Sequence, residues 1–217
     1  MDRRLRNWQL AGFVFTAIFG TLLHFLFDWT GGSIVAALFS AINESIWEHM
    51  KLIFYPMLIF SVVQYKRIGS EFPNFWCVKL LGITLAQILI PVIYYTYTGI
   101  FGTNVDWINI IIFFLVAGFI YWLEYQLITA GLPCFDHKRW IGVILIAYVV
   151  MFSVFTFSPP EIPLFQDPID GSYGYNNPLA DNCKGVNFIG VQIISKAFSF
   201  EKNCSTSAFA VASSTSY

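Results

Sequence analysis

Charge is scarce in this sequence. Of 217 residues, 12% are Asp, Glu, Lys or Arg, about half the share of a typical soluble domain. The net charge is −1, and no basic stripe lies outside a few short loops, which argues against a nucleic-acid partner. The four cysteines, Cys77, Cys134, Cys183 and Cys204, contain no CxxC pair, so their spacing predicts neither a disulfide framework nor a zinc-finger motif. No HExxH or HxxxH occurs among the three histidines. No A-x-A cleavage site follows the first apolar run, so that run reads as a retained span rather than a signal peptide. No internal repeat is visible.

What the chain has instead is apolar surface: 57% hydrophobic residues and a mean hydropathy of +0.64. Long apolar runs in a charge-poor chain predict an all-α, polytopic membrane helix bundle. Five spans are expected, near residues 10–27, 43–65, 76–97, 107–129 and 140–157. The segment 33–42 is too short to cross and reads as re-entrant or interfacial. Residues 1–175 form the expected integral membrane domain. The tail 176–217, with a mildly strand-like stretch at 186–194, is expected to be poorly ordered.

The loops give an orientation. Arg3, Arg4, Arg6, Lys66, Arg67, Lys138 and Arg139 fall on one side of a five-span arrangement, and before the tail the other side has only Lys51. The positive-inside rule then predicts a cytoplasmic N-terminus and an external C-terminus. Prolines at 159, 160 and 163 end the last span, and residues 158–175 should form an irregular flap on the outer face.

One stretch stands out: Asn43-Glu44-Ser45-Ile46-Trp47-Glu48-His49-Met50-Lys51. Read as helix from Asn43, it puts Glu44, Glu48, Lys51 and Tyr55 on one face and Ser45 and His49 on another. Ser45 with Glu48 fits a capping box, and Asn43 is an equally good cap. Three charges facing lipid would cost roughly 7–10 kcal/mol, so they must sit at the interface or point into the bundle. His24 and Asp28 end the first span on the same side. The candidate ligand-binding set is therefore His24, Asp28, Asn43, Glu44, Ser45, Trp47, Glu48, His49 and Lys51. Within it, His24, Asp28, Glu48 and His49 could hold a divalent metal. The same cluster could also relay a proton, or only hold two helices together. Glu124 lies about 25 Å along its helix from Trp107, near the cytoplasmic side, where it is expected to snorkel.

This stretch, with Leu23-His24-Phe25-Leu26-Phe27 before it and Pro163-Leu164-Phe165-Gln166-Asp167-Pro168 and Tyr173-Gly174 after it, resembles a family of bacterial multi-pass membrane proteins of unknown function with an N-E-S-x-W-E-H-x-K signature. The resemblance covers roughly residues 6–175 and implies no activity; the chain departs from it at Asn176. A weaker similarity links Ser45-x-x-x-His49 to membrane hydrolases and receptors of the alkaline ceramidase and adiponectin-receptor superfamily. Those have seven spans and zinc-binding histidines on a late helix, whereas this chain has five expected spans and no histidine in the last.

The expected function is non-enzymatic: a bacterial cytoplasmic-membrane protein, with the lipid bilayer as its surroundings, that binds or passes a small solute or cation or supports an envelope complex. The alternative is a metal-dependent membrane hydrolase using His24, Asp28, Glu48 and His49.

Overall fold

The computed structural model describes residues 3–131 and 138–175. The tail 176–217, His137, Cys134 and the side chains of Lys138 and Arg139 lie outside the described residues. Six α-helices follow in order: α1 (Arg3–Trp29), α2 (Ile34–Phe39), α3 (Ile46–Arg67), α4 (Phe75–Phe101), α5 (Asp106–Thr129) and α6 (Lys138–Phe157). Five of them, all but α2, are long and apolar enough to cross a membrane. They make an all-α bundle of the polytopic membrane class, and among the described residues no strand is formed. The long helices alternate in direction. Arg3, Arg4, Arg6, Lys66 and Arg67 gather at one end, called here the basic end. The end of α1, the start of α3 and the end of α6 meet at the other, the site end.

The expected bounds shift where caps override the apolar run. α1 begins at Arg3 rather than near residue 10, because a helix does not stop where its residues become polar. It ends at Gly31 and Gly32, both with positive φ (65° and 80°). Gly32 N–H bonds Phe27 O and Gly31 N–H bonds Asp28 O, a glycine-terminated C-cap. α3 begins at Ile46, not Asn43. Ser45 is its N-cap and accepts from Glu48 N–H, while Asn43 accepts from Ser45 N–H at 3.1 Å. Residues 43–45 are therefore loop, which overturns the single-face placement of Glu44 with Glu48 and Lys51. α2, at six residues, is too short to span.

α3 is the axis of the bundle. Of its apolar window, 72% is buried, against 17–39% for the other four spans. Its Phe54 and Trp47 pack on Phe152 of α6, and Phe60 packs on Trp8 and Phe15 of α1. Large side chains on the outside, such as Leu10, Ile18, Ile88, Leu115 and Ile146, form the face a bilayer would solvate. Pro56 stays inside α3 and, having no N–H, leaves the Leu52 carbonyl without its helical donor. Gly20 of α1 lies against that carbonyl: a Cβ there would stand 2.6 Å from Leu52 O and 2.5 Å from the Phe113 ring.

At the basic end, Arg4 pairs with Glu71 at 2.8 Å and donates to Arg67 O. Deeper in, Lys79 of α4 meets Glu124 of α5 at 2.5 Å and Gln9 of α1 at 3.2 Å. Both charged residues are fully buried. Glu124 thus does not snorkel, because a cation on the neighbouring helix reaches it and Gly82 gives it room. A Cβ at Gly82 would lie 2.5 Å from Glu124 Oε1. The Lys79 ammonium also sits 5.0 Å from the Tyr121 ring centre, a cation–π arrangement. Cys77, in the first turn of α4, is disulfide-bonded, which the cysteine spacing gave no sign of.

The glycine packing yields a test. Gly20→Ala should lower stability by about 1–3 kcal/mol, since its new methyl meets a backbone carbonyl that cannot move aside. Gly142→Ala on α6, with nothing within 4 Å of the added carbon, should cost nothing and gain helix propensity. Melting of the two variants in detergent checks the contrast.

Candidate functional site

The site end is built from α1, the loop 40–45, the first turns of α3, the end of α6 and the flap 158–175. Its deepest part is the Glu48–Lys51 pair, with Lys51 0% and Glu48 2% exposed. Lys51 Nζ has three acceptors: Glu48 Oε2 at 2.5 Å, Ala37 O of α2 at 2.9 Å and Thr156 Oγ1 of α6 at 2.9 Å. An ammonium has three protons to donate, so this one is saturated. Glu48 Oε2 also accepts from Ile42 N–H at 3.1 Å, and Thr156 donates to Phe152 O. Four chain segments are tied through one charge pair.

The flap covers this junction. Phe165 stacks near Trp47, 4.7 Å between ring centres. Tyr175 N–H bonds Thr156 O, and its hydroxyl donates to Gly32 O. Asp167, 7% exposed, accepts from Ile169 N–H at 2.7 Å and from Glu44 N–H at 3.0 Å. The main chain at Glu44 is thus fixed by the flap and its side chain is left for other partners.

Those partners are histidines. Glu44 Oε2 lies 3.4 Å from His49 Nε2, and Oε1 lies 3.8 Å from His24 Nε2. The two imidazoles are 5.3 Å apart between centres. One ligand atom from each of the three residues lies within 4.8 Å of the other two, and all three side chains are partly exposed, at 27–42%. His49 Nδ1 is 2.9 Å from Ser45 O. A carbonyl only accepts, so Nδ1 carries the proton, and in the neutral ring Nε2 is the lone-pair nitrogen facing Glu44.

The residues predicted from sequence thus divide. His24, Glu44 and His49 come together. Glu48 and Lys51 are committed to each other below them. Ser45 caps α3, Asn43 closes the turn before it, and Trp47 packs inward on Phe152, Phe155 and Phe165. Asp28 is exposed near the end of α1, outside the three-residue group. Thr156 and Asp167 were missed as site residues. Thr156 is an ordinary hydroxyl in an apolar run and gives no signal, but Asp167 lies in the quoted ending motif.

A family model matches residues 2–175. The chain belongs to DUF6512, a family of unknown function. No curated protein and no solved structure matches it. The match of this DUF6512 chain spans all six helices and the flap, and stops where the composition changes after Tyr175.

The two layers of the site should respond differently to mutation. Lys51→Met strands a buried carboxylate and should cost about 3–5 kcal/mol, and adding Glu48→Gln should recover part of it. Glu44→Gln, at a half-exposed carboxylate, should cost under about 1 kcal/mol and add independently to Lys51→Met. Melting of the single and double variants reads the coupling.

Proposed function

We propose that this DUF6512 protein is an integral protein of the bacterial cytoplasmic membrane whose site binds or passes a small solute or cation at the outer face. One observation carries the reading: the deep pair is saturated, whereas His24, Glu44 and His49 are partly exposed and converge, with the His49 Nε2 lone pair facing a Glu44 carboxylate oxygen. A site built only to join helices would be satisfied in both layers. The metal-dependent hydrolase reading needs Glu48 as a free carboxylate, and Glu48 is occupied by Lys51 and Ile42 N–H.

The orientation rests on arginine and lysine. Arg3, Arg4, Arg6, Lys66 and Arg67 at one end, with Lys138 and Arg139 beginning α6 there, outweigh a site end whose one lysine among the described residues, Lys51, is buried. The disulfide at Cys77 pulls the other way, since such bonds persist mainly in oxidising compartments. Weighing seven short-loop cations above the Cys77 disulfide, we assign the basic end to the cytoplasm.

Labelling of intact cells decides this. In a background without native cysteines, single cysteines at Thr103 and Ser172 should react with a membrane-impermeant maleimide, and one at Ser70 should not. A cysteine at Glu44 should also react, as an outward-opening site requires. Reaction at Ser70 without reaction at Thr103 would reverse the orientation and put the site on the cytoplasmic face.

A further inference from the structure

Resting on that reading, we propose that the ligand is a divalent transition-metal ion of the zinc class, held by His24 Nε2, His49 Nε2 and a Glu44 carboxylate oxygen, with a fourth position open to solvent. The first argument is spacing. Zinc bonds nitrogen at about 2.0–2.1 Å and carboxylate oxygen at about 2.0–2.2 Å in tetrahedral sites. Two such ligands therefore stand about 3.3 Å apart, the edge of the tetrahedron. His49 Nε2 stands 3.4 Å from one Glu44 oxygen and His24 Nε2 3.8 Å from the other, and with one ligand atom taken from each residue all three lie within 4.8 Å of one another. Small side-chain rotations on partly exposed residues close that difference.

The second argument is polarity. With Nδ1–H donated to Ser45 O, His49 directs a lone pair at a carboxylate oxygen, and His24 directs its Nε2 at the other oxygen. A ring lone pair facing a carboxylate oxygen at 3.4 Å, as between His49 and Glu44, calls for a proton or a cation between them. The bond from Nδ1 to a backbone carbonyl is also the outer-sphere contact that fixes the ring of a metal-ligating histidine. Glu44 is held comparably, through its backbone on buried Asp167 rather than through its carboxylate.

The third argument is selectivity. Two imidazoles and one carboxylate suit zinc, copper, nickel or iron. Calcium takes six to eight oxygen ligands and magnesium an octahedral oxygen shell, and neither is offered here. Three protein ligands plus an open position would let the ion exchange with the outside or accept a further ligand. The donor set differs from the one expected from sequence by replacing Asp28 and Glu48 with Glu44. The reason is the Ser45 cap, which starts α3 at Ile46, two residues after Glu44, and lets that side chain turn toward α1.

The test uses the full chain in detergent, stripped with a chelator and then titrated with zinc, cobalt, manganese, calcium or ammonium. Wild type should retain about one zinc per chain after desalting, as a single three-ligand site implies. It should melt higher with zinc, because binding to the native state alone raises stability, and should give the visible absorption of tetrahedral cobalt. His24→Gln, Glu44→Gln and His49→Gln should each weaken zinc binding at least tenfold and abolish the cobalt band, with apo melting close to wild type. Asp106→Asn, an exposed acid at the same end, should change none of these. A zinc shift that survives both His24→Gln and His49→Gln overturns the proposal. So does a wild type with no zinc shift and no cobalt band. If calcium or ammonium then gives a shift that Glu44→Gln removes, the site reading stands without the metal. If no cation does, and Glu44→Cys resists the maleimide, the outer-site reading falls with it.

Discussion

The structure depends on how a nearly charge-free bundle accommodates the few charges it keeps inside. A lone ammonium or carboxylate among these apolar helices would be costly by several kcal/mol. Lys51 removes that cost by giving each of its three protons an acceptor, and those acceptors come from α2, α3 and α6. The pair adds little net stability over a well-packed apolar substitute. What it supplies is position: only one placement of α2 and α6 about α3 satisfies the ammonium. Lys79 does the same for α1, α4 and α5 at the basic end, helped by an aromatic face where a third acceptor would stand. Between the two pairs the core is filled by Ile53, Phe54, Met57, Ile83 and Ala86.

The shallow site follows from the deep one. Glu48 takes Ile42 N–H on the same oxygen that meets Lys51, so the charge pair also anchors the loop between α2 and α3. Ser45 then caps the helix, and Glu44, just before the cap, is pinned by its N–H to Asp167. The histidines need no comparable anchor, since α1 carries His24 to the bundle's end and α3 carries His49 one turn in. Glu44 can therefore face both rings while the Lys51 ammonium beneath stays fully occupied.

How much of this could be read in the sequence depended on range. The five spans could be read because apolar length is a local property, and the start of α3 was within reach because Ser45 and Glu48 spell a capping box. The error there was to run the helix through Asn43, which displaced Glu44 onto the wrong face. The pairing of Lys79 with Glu124 was out of reach: the residues are 45 positions apart on different helices, and only a glycine at position 82 hinted at a close approach. Thr156 and Asp167 act across 105 and 123 positions; nothing in its local sequence marks Thr156, and Asp167 was marked only by the ending motif it lies in. His24, Glu44 and His49 were all visible by residue type, but the misplaced helix start put Glu44 on the face of Glu48 and Lys51 and so kept it out of the expected metal set.

One nine-residue stretch thus serves as both scaffold and site because the Ser45 cap divides it. After the cap, helical spacing sends Glu48 and Lys51 into the core, where their charges must cancel. At and before the cap, the backbone is held by side chains and by the flap, and the Glu44 carboxylate faces outward with no cation of its own. His49 belongs to both regions: it lies in the first turn of α3, yet its Nδ1 proton is taken by the carbonyl of the cap residue. That bond directs Nε2 away from the core and toward Glu44. Any change that extends α3 by one residue toward Asn43 would break the Ser45 contacts and rotate Glu44 away from both imidazoles. It would leave the Glu48–Lys51 junction in place, so loss of the site need not mean loss of the fold.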